Sequence, residues 1–178
     1  EMRASPALPV ARRQAGVGMV EVLVAVLILS IGVLGFAGMQ LKALKSTGDT
    51  FVRSQAMVLA SDIVSRIAVN PGQLATYSTA ASWTSAPVTD AAKPTWWDTC
   101  VSASCTQAAL AGWDINQSAW MAAHLLPNGN ALVAQCTGAS TYCVTVAWNK
   151  TTAANCNLST GVADNGANKE CVVLQVVL

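Results

Sequence analysis

Gly16-Val17-Gly18-Met19-Val20-Glu21 opens an apolar run that reaches Met39 with no second charge. Residues 17–39 are long enough to cross about 30 Å of hydrocarbon as a helix, and one carboxylate stands at the head of that helix. A carboxylate inside a membrane span costs about 2.5–3.5 kcal/mol on insertion scales, so Glu21 reads as a functional residue that needs a cation at its own depth. The preceding residues supply one. Arg12-Arg13-Gln14-Ala15-Gly16 is a short basic leader ending in a small residue, and cleavage after Gly16 frees a positively charged α-amino group on Val17. That amine neutralises a Glu21 carboxylate when several such helices pack side by side.

The run from Val22 to Leu34 is apolar on every side, as lipid or packed helices require. Gly32, Gly35 and Gly38 recur every third residue and let a neighbouring helix approach closely. From Gln40 the pattern turns amphipathic, with Val52, Ala56, Leu59, Ile63 and Ile67 in one helical stripe. Lys42, Lys45, Asp49, Arg53, Asp62 and Arg66 mostly avoid the stripe, which predicts a solvated face opposite one packed on a sheet. Gly48 and Thr50 are the weak points of this helix, and Pro71-Gly72 stops it after Asn70. The chain therefore divides into a leader (1–16), a hydrophobic helix (17–39), its amphipathic continuation (40–70) and an exported globular region (71–178).

All six cysteines, at 100, 105, 136, 143, 156 and 171, fall in that last region, which suits an oxidising compartment. Six cysteines admit fifteen pairings, so connectivity stays open; the simplest expectation joins neighbours, Cys100 with Cys105, Cys136 with Cys143 and Cys156 with Cys171. Zinc is disfavoured because no close pair of the C-x2-C kind is present. Net charge is +1 and charged residues make up 11% of the 178, which disfavours nucleic acid as a partner.

Residues 71–120 are rich in Ala, Ser and Thr and show neither helical nor strand periodicity, so they read as a long connection. Trp83, Trp96, Trp97, Trp113 and Trp120 are expected to pin it to a core rather than to form a ligand platform. A short helix is expected from Asp114 to Leu125, ended by Pro127. Ala131–Cys136 and Tyr142–Trp148 read as a hairpin, residues 149–169 as a polar loop, and Cys171–Leu178 as a third strand covered on both faces. His124, the only histidine, has no partner in sequence for catalysis and reads as structural. No catalytic residue, metal or cofactor is assigned.

The leader and Glu21, then Glu21-Val22-Leu23-Val24-Ala25, Ser30-Ile31-Gly32-Val33-Leu34-Gly35, Met39-Gln40, Ser54-Gln55-Ala56, Leu59-Ala60-Ser61-Asp62-Ile63 and Arg66 to Asn70-Pro71 together resemble type IV prepilins. Among these they resemble the minor pilins called type IV pilus modification protein, or PilV. Val17 stands where that family usually has Phe. The resemblance implies an α+β, pilin-like fold: a long N-terminal helix on a small, disulfide-bonded C-terminal antiparallel sheet. It implies cleavage between Gly16 and Val17 by prepilin peptidase, N-methylation of Val17, and subunit assembly through Glu21. The implied partners are other minor pilins, the major pilin, an inner-membrane assembly platform and, before assembly, the bilayer. The implied role is non-enzymatic, in a tip complex that primes the pilus and supports adhesion and twitching motility. The subunit waits in the bacterial inner membrane with its C-terminal domain in the periplasm and ends in the extracellular pilus. Two other readings stand beside this one. A minor pseudopilin of a type II secretion system has the same parts. An ordinary signal peptide has basic, apolar and small-x-small regions like Arg12-Arg13, Val22–Leu34 and Gly35-Phe36-Ala37, and its removal releases a soluble protein from Gly38.

Overall fold

The computed structural model describes residues 16, 18–89, 92, 94–137, 140–156, 158–159, 162–163 and 170–177. The leader expected over 1–16 lies outside these residues except for Gly16, and Val17 lies outside them as well. The chain divides into two units after Ser46. The first unit contributes the opening of helix α1, Met19–Val69. Its first turn is closed by Glu21 and Val22, whose N–H groups donate to the Gly18 carbonyl at 2.9 and 3.3 Å.

The second unit begins inside α1 and holds every buried apolar residue described. Ala56, Leu59, Ile63 and Ile67 are buried and Val52 packs beside them, which is the stripe that the spacing predicts, and Ala60 is buried with them. Asn70 leaves helical geometry just before Pro71, and its Nδ2 donates to the Gln107 carbonyl at 2.8 Å.

The expected long connection is instead mostly helical. A 3-10 turn at Pro71–Gln73, α2 (Leu74–Tyr77), α3 (Ala80–Thr84), a second 3-10 turn at Thr95–Asp98 and α4 (Thr99–Ser102) precede α5 (Gln107–Leu125). The short pieces span at most five residues, too few for an apolar period to show. Helix α5 starts before the expected Asp114 because the Thr106 hydroxyl caps it, accepting from the Ala109 N–H at 3.2 Å. It ends at Leu125. Leu126 is extended, as a residue preceding proline must be. Asn128 adopts a left-handed φ of 49°, and Gly129 then passes so close to α5 that a Cβ there falls 1.9 Å from the Ala122 carbonyl oxygen.

Strands β1 (Asn130–Gln135), β2 (Tyr142–Ala147) and β5 (Cys171–Val176) form an antiparallel sheet in the order β1-β2-β5. β1 has the expected length but lies one residue earlier, and β2 and β5 end one and two residues before the expected ends. The supposed polar loop contains a 3-10 turn at Ala153–Asn155 and a two-residue ladder, β3 (Leu158–Ser159) with β4 (Val162–Ala163). Alternation along the strands gives the sheet two covered faces. Ala131, Val133, Val144, Val146, Val172 and Val176 share one core with the buried stripe of α1 and with Ile115 and Ala119 of α5. On the other face Ala147, Ala153, Cys156 and Cys171 cluster with Leu132 and Val173, and Cys136 and Cys143 pack on Val173.

Candidate functional site

At the N-terminal end the site is a bare helix. Gly16 and Gly18 are exposed, with nothing within 4 Å of a Cβ placed on either, so the bond expected to be cut is flanked by unobstructed backbone on its Gly16 side. Glu21 stands in the first turn of α1, where unpaired N–H groups and the helix dipole favour a carboxylate. Beyond it every side chain to Met39 is exposed, and each large apolar one is more than half exposed. Such a band needs lipid or other helices to cover it. Ser30 does not spoil it, because its hydroxyl donates to the Val26 carbonyl at 2.7 Å. Around Gly32, Gly35 and Gly38 the surface is open, the condition for close helix approach.

In the second unit the charges that seemed solvated are partly engaged. Arg66 donates through Nε to Asp62 at 2.7 Å and through Nη1 to Asp114 at 2.8 Å, and its guanidinium lies 5.6 Å from the Trp113 ring centre. Asp114 is buried and also accepts from the Tyr77 hydroxyl at 2.5 Å. Burial lowers the guanidinium pKa, but the hydrogen bonds and charges of Asp62 and Asp114 outweigh it and the net shift is upward. Burial first, and then the Asp114 carboxylate, push the Tyr77 hydroxyl far above its ordinary value of 10.0. This network ties α1, α2 and α5 together. Its geometry suits structure, since both carboxylates are taken up by donors within the fold. Only Arg66 and Asp62 carried a hint of it, four residues apart on one helix face; Tyr77 and Asp114 come from distant segments.

The tryptophans act as pins. Trp83 is buried and donates to the Tyr77 carbonyl at 2.7 Å, and Trp113 donates to that of Trp97 at 2.9 Å. Trp97 meets Trp120 edge to face, with ring centres 4.9 Å apart, and His124 stacks on Trp120 at 4.0 Å. The Trp120 carbonyl lies 2.8 Å from His124 Nδ1, so the imidazole is held in an aromatic stack. The Trp96 Nε1 atom is buried without an acceptor among the described residues. Disulfides join Cys100 to Cys105, Cys136 to Cys143 and Cys156 to Cys171. Among the described residues no group of three His, Cys, Asp or Glu is placed to hold a metal.

Comparison with known proteins gives two adjoining matches. Residues 11–37 match the prokaryotic N-terminal methylation motif, and residues 38–116 match the family described as type IV pilin Tt1218. No curated protein and no solved structure matches the chain. The motif match takes in the last six residues of the leader, with Gly16, and Glu21, and the pilin match runs from the end of the apolar band to the middle of α5. Over residues 11–116 the chain is therefore similar to type IV pilins, a methylation motif leading into the helical part of a pilin domain.

Proposed function

We propose that this pilin is a minor subunit of the PilV type, which joins a tip complex and primes growth of the filament. The observation that carries the reading is the methylation motif over residues 11–37 running directly into an exposed apolar helix with Glu21 in its first turn. Prepilin peptidase cuts between Gly16 and Val17 and methylates the new amine. The helix then waits in the inner membrane as a single span, with the disulfide-bonded domain in the periplasm. On assembly the band from Val22 to Met39 exchanges lipid for other pilin helices, and the amine of one subunit pairs with Glu21 of another. That pair is worth far more between packed helices than in water, because the surrounding dielectric is low, and it fixes the register of neighbouring subunits.

The test is mass spectrometry of the mature N-terminus from cells with and without prepilin peptidase. The expected product begins at N-methylated Val17 and appears only with the peptidase; a product beginning at Gly38 in both strains refutes the proposal. Deletion of the gene then separates the machines. Loss of pili supports the tip role, whereas loss of protein secretion with pili intact assigns the subunit to a type II secretion pseudopilus.

A further inference from the structure

We propose that Lys42 and Lys45 form a binding site for the phosphate of an anionic phospholipid, at the level where α1 leaves the bilayer; the inference rests on the reading of α1 as a membrane span. Three observations carry it. The first is depth. From Val22 to Leu41 the helix rises about 30 Å at 1.5 Å per residue, which is the thickness of the hydrocarbon layer. Glu21 stands in the first turn of α1, and Lys42 is the next charged residue along it. With Glu21 at one boundary of the layer, Lys42 therefore falls just past the other, among the headgroups.

The second is the mixture of side chains there. Leu41 and Leu44 are 69% and 70% exposed, and Lys42 and Lys45, which alternate with them, are exposed as well. Within little more than one turn the helix thus offers apolar groups to acyl chains and ammonium groups to the layer above. Lysine suits this position, since its four-carbon stem lies along apolar surface while its charged end reaches outward. Residues three apart are neighbours on a helix, with Cβ atoms about 5–6 Å apart, so both ammonium groups reach one phosphate.

The third is that the fold itself makes no use of these charges. Both ion pairs among the described residues belong to Arg66. Asp49, the nearest acid along the helix and four residues past Lys45, is in neither. Two like charges side by side repel each other, and a phosphate between them removes that repulsion while accepting hydrogen bonds from both. No acid within the turn serves the ammonium of a zwitterionic headgroup, which favours a lipid of net negative charge. A lysine near anionic headgroups gains about fivefold in affinity, and the pair about 25-fold.

The experiment places the full chain in phosphatidylcholine nanodiscs that carry a trace of photoreactive lipid, and locates the crosslinks by mass spectrometry. A phosphatidylglycerol probe that reacts through its headgroup is expected to label residues 42–45 at least tenfold more than a matched phosphatidylcholine probe. In K42Q/K45Q that labelling should fall to the phosphatidylcholine level, and in K42R/K45R, which keeps both charges, it should persist. Equal labelling by the two probes overturns the proposal, and so does labelling that survives in K42Q/K45Q. Excess glycerol 3-phosphate should leave the labelling unchanged; if it competes, the site is one for a soluble phosphate and the lipid assignment is overturned. Glutamine forms helix about as well as lysine, so circular dichroism of K42Q/K45Q should match that of the unaltered chain. Should that variant fail to fold, the comparison of the two probes on the unaltered chain decides alone. A third probe, reactive in its acyl chain, should label the stretch from Val22 to Met39. No labelling there refutes the membrane span and this site with it, whereas labelling there without headgroup preference at residues 42–45 refutes the site alone.

Discussion

Asp114 takes hydrogen bonds from two different helices, through Arg66 and Tyr77, while itself buried on a third, and the largest single-residue effects are expected there. Replacing Arg66 by Ala strands a buried carboxylate, and breaking such a pair costs about 3 kcal/mol; the loss is read from the urea midpoint of the full chain in detergent. Tyr77 gives a pH effect of known sign. Its folded pKa is raised above 10.0, so its stabilising contribution is complete below that pH. As pH climbs further the unfolded chain loses the proton first, and the contribution fades. Thermal melts should therefore show stability falling above about pH 10, and Tyr77→Phe should flatten that limb while costing about 1–3 kcal/mol at neutral pH through the unpaired Asp114 oxygen. Gly129→Ala should abolish folding at 37 °C, since the backbone of Ala122 occupies the place of the new methyl group. At this scale the sequence was least legible. Arg66 avoids the apolar stripe and so looked solvated, because a helical period records which face a residue occupies and not which distant carboxylate comes to meet it.

Elements were legible in proportion to their length. The stripe of α1 repeats over sixteen residues, Val52 to Ile67, and all its members but the half-buried Val52 are buried. The hairpin and the final strand alternate or run apolar over six residues each and were readable to within a residue or two. What escaped was the set of four- and five-residue helices between Leu74 and Ser102. They are held by tertiary anchors such as the Trp83 indole rather than by any repeating pattern. Helix α5 escaped in part because its first two turns, Gln107-Ala108-Ala109-Leu110-Ala111-Gly112-Trp113, are mostly small residues that draw no stripe. Its cap is visible in hindsight as Thr106. Thr106→Ala should cost about 1 kcal/mol, measured as a fall in the denaturation midpoint with the slope unchanged.

Across the whole chain, the two units differ in what completes them. Every buried apolar residue described lies beyond residue 46, so a chain truncated to residues 47–178 is expected to fold as a soluble domain with all three disulfides, checked by mass spectrometry and circular dichroism. The full chain should resist extraction from membranes at alkaline pH. Glu21→Ala should leave that domain's melting curve unaltered and lower the number of pili counted by electron microscopy. If piliation is instead unaffected, the charge contact proposed for Glu21 is wrong.

The three disulfides also matter when the molecule is pulled. Each joins cysteines close in sequence, and the widest, Cys156–Cys171, brackets a separation of fifteen residues. That stretch lies off the load path of a filament subunit tugged at its ends. Its chain, about 50 Å when fully extended at ~3.5 Å per residue, stays hidden from tension for as long as the bond holds. A tethered subunit thus reaches its taut limit early, and in force spectroscopy a reductant should release the hidden lengths as separate steps.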